Sequence, residues 1–187
     1  MGVGMRMIAE KAAQPLERAT ANGGIIAQGD GHGAHFRSMR KGCIISIIMR
    51  LVTDSISLST RGDADIIDIT PHVSALLGRH GFTHGQALVF VSGSTAGVTT
   101  IEYEPGLLKD IPAAFEKIAP KNARYHHEDT WHDGNGHSHV RAALLGCSLT
   151  VPFKDGRLLL GTWQQIVLID FDNRPRKREV IVQMSGE

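Results

Sequence analysis

Beyond residue 50 the chain reads as short stretches of patterned apolar residues separated by Gly, Pro and Asp. Residues 51–58 contain alternating apolar positions, the period of a strand with one buried face. Arg61-Gly62-Asp63 makes a turn, and residues 64–69 are a second strand. Thr70-Pro71 opens a helix, with Thr70 as N-cap and Pro71 in the first turn, where a missing N–H costs nothing. Val73, Leu76 and Leu77 form its apolar stripe, and Gly78 or Gly81 ends it. Residues 86–91 are mostly apolar and predict a central strand buried on both faces. Residues 98–103 are rich in β-branched and aromatic side chains and predict another strand. Helical spacing returns over Leu107–Ile118, with Pro112 inside and Pro120 as the stop. A short helix over 140–145 ends at Gly146. The last forty residues read as a meander of strands at 148–153, 157–160, 164–171 and 179–184, with turns between them. These elements do not alternate strictly between strand and helix. They predict an α+β fold: a mixed β-sheet of about seven strands with two to three helices.

Residues 1–48 follow a different rule. Apart from a possible short helix between Met5 and Thr20, neither period runs through them, and they hold eight of the 21 glycines. This segment predicts a flexible, basic, Gly-rich extension, with residues 49–187 as the single folded domain. Charge sharpens that division. The formal net charge of +1 averages an extension at +3 with a domain at −2. Such a balance excludes a general nucleic-acid binder. The apolar run Ile44-Ile45-Ser46-Ile47-Ile48-Met49 is too short to span a bilayer, and no small-residue cleavage site follows it. The two cysteines form no CxxC, so the expectation is a cytoplasmic protein that does not enter membranes.

Histidine is the compositional exception. Five of the ten lie between His126 and His139, where an even spread would place fewer than one. The segment between His127 and His139 is polar, acidic and Gly-containing. Imidazole suits Zn²⁺, and carboxylate or amide oxygens suit harder ions such as Mg²⁺. A folded loop can therefore offer His127, His139 and Asp133 to one divalent ion. His137 is a further candidate, limited by geometry. Two residues apart on a helix, His137 and His139 point about 200° from each other, so only one can face the ion there. His32 and His35 are a second, weaker pair in the extension.

Other features can serve the same site. Gly93-Ser94-Thr95-Ala96-Gly97 follows a buried strand and can present N–H and O–H groups to an anion. Glu102 lies on the next strand, placed either as a general base facing a cleft or on a solvated edge. Trp163 and Gln164 sit between two strands. They are either core residues or a ring that stacks on a flat heterocycle beside an amide that reads its edge.

Five motifs then occur in order. They are Gly93-Ser94-Thr95-Ala96-Gly97-Val98-Thr99-Thr100-Ile101-Glu102, Tyr125-His126-His127, Asp133-Gly134-Asn135-Gly136-His137-Ser138-His139, Gly146-Cys147-Ser148-Leu149-Thr150-Val151-Pro152 and Gly161-Thr162-Trp163-Gln164-Gln165-Ile166. Residues 49–187 with these motifs resemble the YjbQ-type family, described as secondary thiamine-phosphate synthases. The resemblance implies an α+β fold, a homotrimer with sites near subunit contacts, and a metal-associated pocket. It implies an enzyme that joins an aminopyrimidine diphosphate to a thiazole phosphate and releases pyrophosphate. By position, His127 and His139 match the family's histidines, Glu102 its glutamate, and Trp163-Gln164 its Trp-Gln pair. In that reading His127 and His139 hold the divalent ion (Zn or Mg) with Glu102 or Asp133 assisting. Ser94, Thr95, Asn135 and Arg141 bind the small phosphorylated metabolite, and Trp163 stacks the ring. The sequence departs from the family at one point: many members carry His-Thr-Ser/Thr-Ala where this chain has Gly93-Ser94-Thr95-Ala96. A metal-dependent hydrolase of a phosphorylated metabolite and a non-catalytic trimeric ligand-binding protein are the competing expectations.

Overall fold

The computed structural model describes residues 27–30, 33–40 and 43–187, with side chains from Met49 onward. The helix expected between Met5 and Thr20 and the candidate ligand His32 lie outside the described residues. In chain order the elements are β1 (Ala27–Asp30), β2 (Gly33–Arg40), β3 (Cys43–Thr60), β4 (Asp65–Asp68), α1 (Thr70–His80), β5 (Gly85–Ser92) and β6 (Ala96–Ile101). Then come α2 (Leu107–Ile118), a 3₁₀ turn (His126–Asp129), α3 (Gly136–Leu145), β7 (Ser148–Lys154), β8 (Arg157–Leu158), β9 (Gln165–Asp170) and β10 (Arg176–Gly186).

Two sheets result. Seven strands run in the order β1-β2-β3-β10-β5-β7-β8, and three in the order β4-β9-β6. All pairings among the described residues are antiparallel. The α+β class stands, with three helices and seven strands in the larger sheet. The second, three-stranded sheet goes beyond the one sheet that the pattern predicts. The 48/49 boundary falls inside β3, which pairs with β2 up to Met49 and with β10 from Arg50 onward.

Strand β9 explains the layering. Ile166 and Leu168 enter a core shared with α1, β5, β7 and β10. The alternate residues Val167, Ile169 and Phe171 enter a second core with Ala64, Ile66 and Ala142, against which Leu108, Ile111 and Phe115 of α2 pack. A period of two thus sends one strand's side chains into two cores. The small sheet lies between the large sheet and the helices α2 and α3. The continuous apolar run Ile166-Val167-Leu168-Ile169 is what that position demands.

Local signals fared unevenly. Val73, Leu76 and Leu77 are buried as the stripe requires, and Gly81 ends α1 in the left-handed conformation at φ 64°. Thr70 is not the cap: Ile69 occupies that position, and the Thr70 hydroxyl instead accepts a bond from the Ile166 N–H at 2.8 Å. Strand β5 is fully buried only on the face carrying Ala87, Val89 and Val91. Helix α3 begins at Gly136 rather than residue 140, which places both His137 and His139 inside it.

Two links between the sheets fix the site. Residues 93–95 carry the chain from β5 in the large sheet to β6 in the small one. Residues 171–175 return it from β9 to β10. The two links lie side by side, because the Phe171 N–H donates to the Thr95 carbonyl at 2.9 Å. The start of α3 and the loop before it close over this crossing.

Candidate functional site

A cleft of about 470 Å³ opens where the crossing meets α3. Its walls are Gly93, Ser94 and Thr95 from one link, Asp172, Arg176 and Arg178 from the other, and His127, Trp131, Asp133, Asn135 and His139 from the loop and helix. The cluster expected from composition and the hydroxyl turn expected after β5 therefore meet in one place.

The histidine wall is held by Glu128. Its carboxylate accepts the backbone N–H of Gly134 at 2.7 Å and of Gly136 at 3.1 Å. This folds residues 128–136 back on themselves and starts α3. The rings of His127 and His139 then stand 4.4 Å apart, tilted by 39°. Asp133 Oδ1 lies 3.4 Å from His127 Nε2 without a hydrogen bond, and that nitrogen is buried with no partner among the described residues. Burial, and then the neighbouring His127 ring, hold His139 below the ordinary histidine value. At neutral pH it is an uncharged imidazole, able to take a proton or a metal.

The opposite wall is a buried ionic network. Arg178 grips Asp170 from Nε at 2.7 Å and from Nη2 at 2.6 Å, a bidentate pair. The same Nη2 donates to Thr95 Oγ1 at 2.7 Å, and Thr95 donates to Asp172 Oδ2 at 2.9 Å. Arg176 Nε reaches that oxygen too, at 2.9 Å. Burial pushes the Asp172 carboxyl up, but the bonds from Arg176 and Thr95 and the charges of Arg176 and Arg178 outweigh it, so the group stays ionised.

Several expected roles need correction. His137 is 1% exposed and does not line the cleft; its Nε2 faces Ser138 Oγ at 3.3 Å and its ring lies near Tyr125. With α3 beginning at Gly136, the two-residue offset turns it away from His139. It is a core histidine, not a ligand beside His139. Arg141 is also buried away from the cleft: its Nε donates to the Ala119 carbonyl at 2.9 Å and its Nη2 pairs with Glu116, which ties α3 to the end of α2. Thr95 reaches the cleft, but its hydroxyl is committed to the ionic network. Glu102 lies past the end of β6, exposed and away from both histidines. Trp163 is 71% exposed. Gln164 borders a different groove and bonds Thr100 Oγ1 at 2.9 Å. Within one chain, then, Ser94, Asn135, Asp133, His127 and His139 are brought together, and Glu102, Trp163 and Gln164 are not. Asp170, Asp172, Arg176 and Arg178 were not expected at all. Their one trace in the sequence is parity: the Asp pair and the Arg pair each recur at two-residue spacing on either side of a turn.

The donor set fits an ion in kind, with two imidazoles, one of them with an orphaned buried nitrogen, beside a carboxylate. It stops short of a closed group: among the described residues no three His, Cys, Asp or Glu side chains converge as metal ligands.

The fold is α+β, two antiparallel sheets with helices, and its cleft lies where the chain crosses between the sheets. The family model described as "UPF0047 protein YjbQ-like" matches residues 54–187, and the chain belongs to that family. It is 35% identical over 131 residues to the UPF0047 protein MJ1081 of Methanocaldococcus jannaschii, covering 70% of this chain and 91% of that one. It is 36% identical over 134 residues to the UPF0047 protein YugU of Bacillus subtilis, covering 71% and 98%. The crystal structure of a YbjQ-like protein of unknown function from Sulfolobus solfataricus aligns with a TM-score of 0.71 at 32% identity, over 74% of this chain and 99% of that one. No helix among the described residues is long and apolar enough to cross a membrane.

Proposed function

We propose that the cleft binds a small phosphorylated metabolite and that the protein is a transferase with secondary thiamine-phosphate synthase activity. One observation supports this above the others: a pair of imidazoles faces the guanidinium groups of Arg176 and Arg178 across a single cleft. In the proposed reaction the thiazole nitrogen forms a bond to the pyrimidine methylene carbon. The bond from that carbon to the diphosphate oxygen breaks, and pyrophosphate leaves with the electron pair. Positive charge and hydroxyl donors placed where the leaving charge gathers lower such a barrier. Arg178, Arg176 and Ser94 are those donors. Holding the two substrates side by side supplies much of the remainder. A divalent ion, when bound, would be held by His127 and His139 with Asp133 alongside, and would add charge neutralisation for the pyrophosphate. The protein is further proposed to act as a homotrimer.

Pyrophosphate release from the aminopyrimidine diphosphate in the presence of thiazole phosphate tests the reading, together with growth of a thiamine-requiring strain. Wild-type protein is expected to support both, and His139→Ala neither. Release that does not require the thiazole phosphate favours a hydrolase instead. Equal results for the two proteins overturn the proposal.

A further inference from the structure

The walls of the cleft are polar almost throughout. Their side chains are hydroxyls, carboxylates, an amide, imidazoles and guanidinium groups, with one exception, the indole of Trp131. That ring is 68% exposed, although tryptophan is on average among the more buried residue types. Among the described residues it stacks on no other ring and on no cation. The chain's other tryptophan, Trp163, lies near the far end of β6 and borders no part of this cleft.

Backbone bonds rather than packing set the position of Trp131. Its N–H donates to the His127 carbonyl at 3.2 Å, so the indole follows directly on the turn that carries the His127 imidazole. The next residue, His132, is in the left-handed region at φ 54°, which a residue with a side chain rarely adopts. Glu128 closes the loop behind it through the N–H groups of Gly134 and Gly136. Strained backbone of this kind persists where the surrounding bonds over-determine it, and it clusters where ligands are held. Here it keeps a large apolar ring against a polar cleft instead of letting the chain bury it.

A flat exposed ring beside a cationic wall offers two different contacts to one ligand. A ring of the ligand lies on the indole face, where stacking adds to the burial of both surfaces. An anionic group reaches Arg176 and Arg178, which line the same cleft. Building on the phosphate-binding reading above, we infer that Trp131 is the specificity-determining residue of the cleft: its indole is the platform on which a planar ring of the phosphorylated ligand stacks. The part expected of Trp163 falls to Trp131, and one chain then holds both ends of the ligand without a neighbouring copy. A saturated ring of the same size is puckered and meets the indole face over less area, so the platform discriminates flat rings from puckered ones.

Fluorescence and titration calorimetry test this with three probes: inorganic pyrophosphate, benzyl phosphate and cyclohexylmethyl phosphate. In Trp163→Phe, where Trp131 is the single indole, benzyl phosphate should change the emission saturably and pyrophosphate should leave it nearly unchanged. By calorimetry, wild-type protein should bind benzyl phosphate about fivefold tighter than cyclohexylmethyl phosphate. Trp131→Ala should lose about tenfold in benzyl phosphate affinity, within the range that one stacked ring contributes. Its pyrophosphate affinity should stay within about a factor of two of wild type. Trp131→Phe should recover most of the loss, because Phe is also a flat platform. Trp131 is exposed, so neither variant should lower the melting temperature. Four results each overturn the inference while pyrophosphate binding keeps the phosphate reading standing: unchanged Trp131 emission at saturating benzyl phosphate, equal affinity of wild type for the two ring phosphates, unchanged benzyl phosphate affinity in Trp131→Ala, or an equal loss of benzyl phosphate and pyrophosphate in that variant. Absence of pyrophosphate binding to wild type removes the phosphate reading and this inference together.

Discussion

Asp170 is the residue on which the ionic wall turns. It is fully buried and its charge is met by one guanidinium, that of Arg178, with Thr60 adding a hydroxyl. Removing one partner of a buried pair leaves an uncompensated charge, a more severe change than replacing both by apolar groups. Arg178→Ala should therefore destabilise the protein by about 3–5 kcal/mol in urea unfolding. The double change Asp170→Leu with Arg178→Met should recover much of that stability while leaving the cleft without its anion pole. Gly93 adds a second test at this scale. A Cβ on Gly93, at φ 148°, would lie 2.9 Å from Arg178 Nη1, so the guanidinium must shift to admit one. Gly93→Ala should weaken pyrophosphate binding several-fold, read by calorimetry. None of these four charged residues announced itself in the sequence. Asp172, Arg176 and Arg178 look like an ordinary polar turn and strand edge. Only the layering of two sheets, which single-chain periodicity does not encode, buries Asp172 and Arg178 and leaves Arg176 half-buried beside them. The histidine cluster could be read because its composition is anomalous wherever it folds.

Helix α3 shows how one element divides the work of two similar residues. Because it starts at Gly136, His137 enters the core and His139 enters the cleft. His139→Ala should abolish ligand binding and change stability little. His137→Ala should cost about 2–4 kcal/mol, as for other large buried side chains, and keep ligand affinity within a few-fold. The two also differ with pH. Burial, then the charges of Arg141 and Lys121, hold the His137 imidazole below the ordinary histidine value. The unfolded chain thus binds that proton more readily than the folded one. Stability from this source is fully present above about pH 6.5 and is lost as the pH falls through the folded value. Urea midpoints measured between pH 7.5 and pH 5 should show this loss, and His137→Phe should reduce it. The sequence did carry the offset argument, that two histidines two apart on a helix cannot share a face. It placed the helix start four residues late, because Asn135-Gly136 reads as loop and the capping work is done by Glu128 from outside the helix. Strand spacing, helix positions and the meander were readable because each depends on local period. The crossing of chain between two sheets depends on residues far apart and was not.

At the scale of the molecule, one chain leaves part of the expected site unassembled. Glu102 stands beyond the far end of β6, whose six residues span about 20 Å, while Ser94 precedes its near end. Trp163 and Gln164 lie near that same end, since Ile101 pairs with Gln165. No bending of a six-residue strand inside an antiparallel sheet brings that end to His127 and His139. If these residues share a substrate, the two halves of the site come from neighbouring copies, and the proposed trimer supplies them. Exposed Trp163 and Leu159 beside the groove that holds Gln164 are surfaces such a contact would cover. Two measurements decide this. Sedimentation equilibrium should give three times the chain mass, and Trp163→Glu should lower it. Mixing His139→Ala with Glu102→Gln, each inactive alone, should restore about a quarter of wild-type pyrophosphate release after subunit exchange, the share of neighbouring pairs in which both residues are intact. A site contained within one chain gives no recovery at any mixing ratio, because neither variant carries both residues. A monomer by sedimentation together with no recovery would remove Glu102, Trp163 and Gln164 from the site and leave the histidine–arginine cleft as the whole of it.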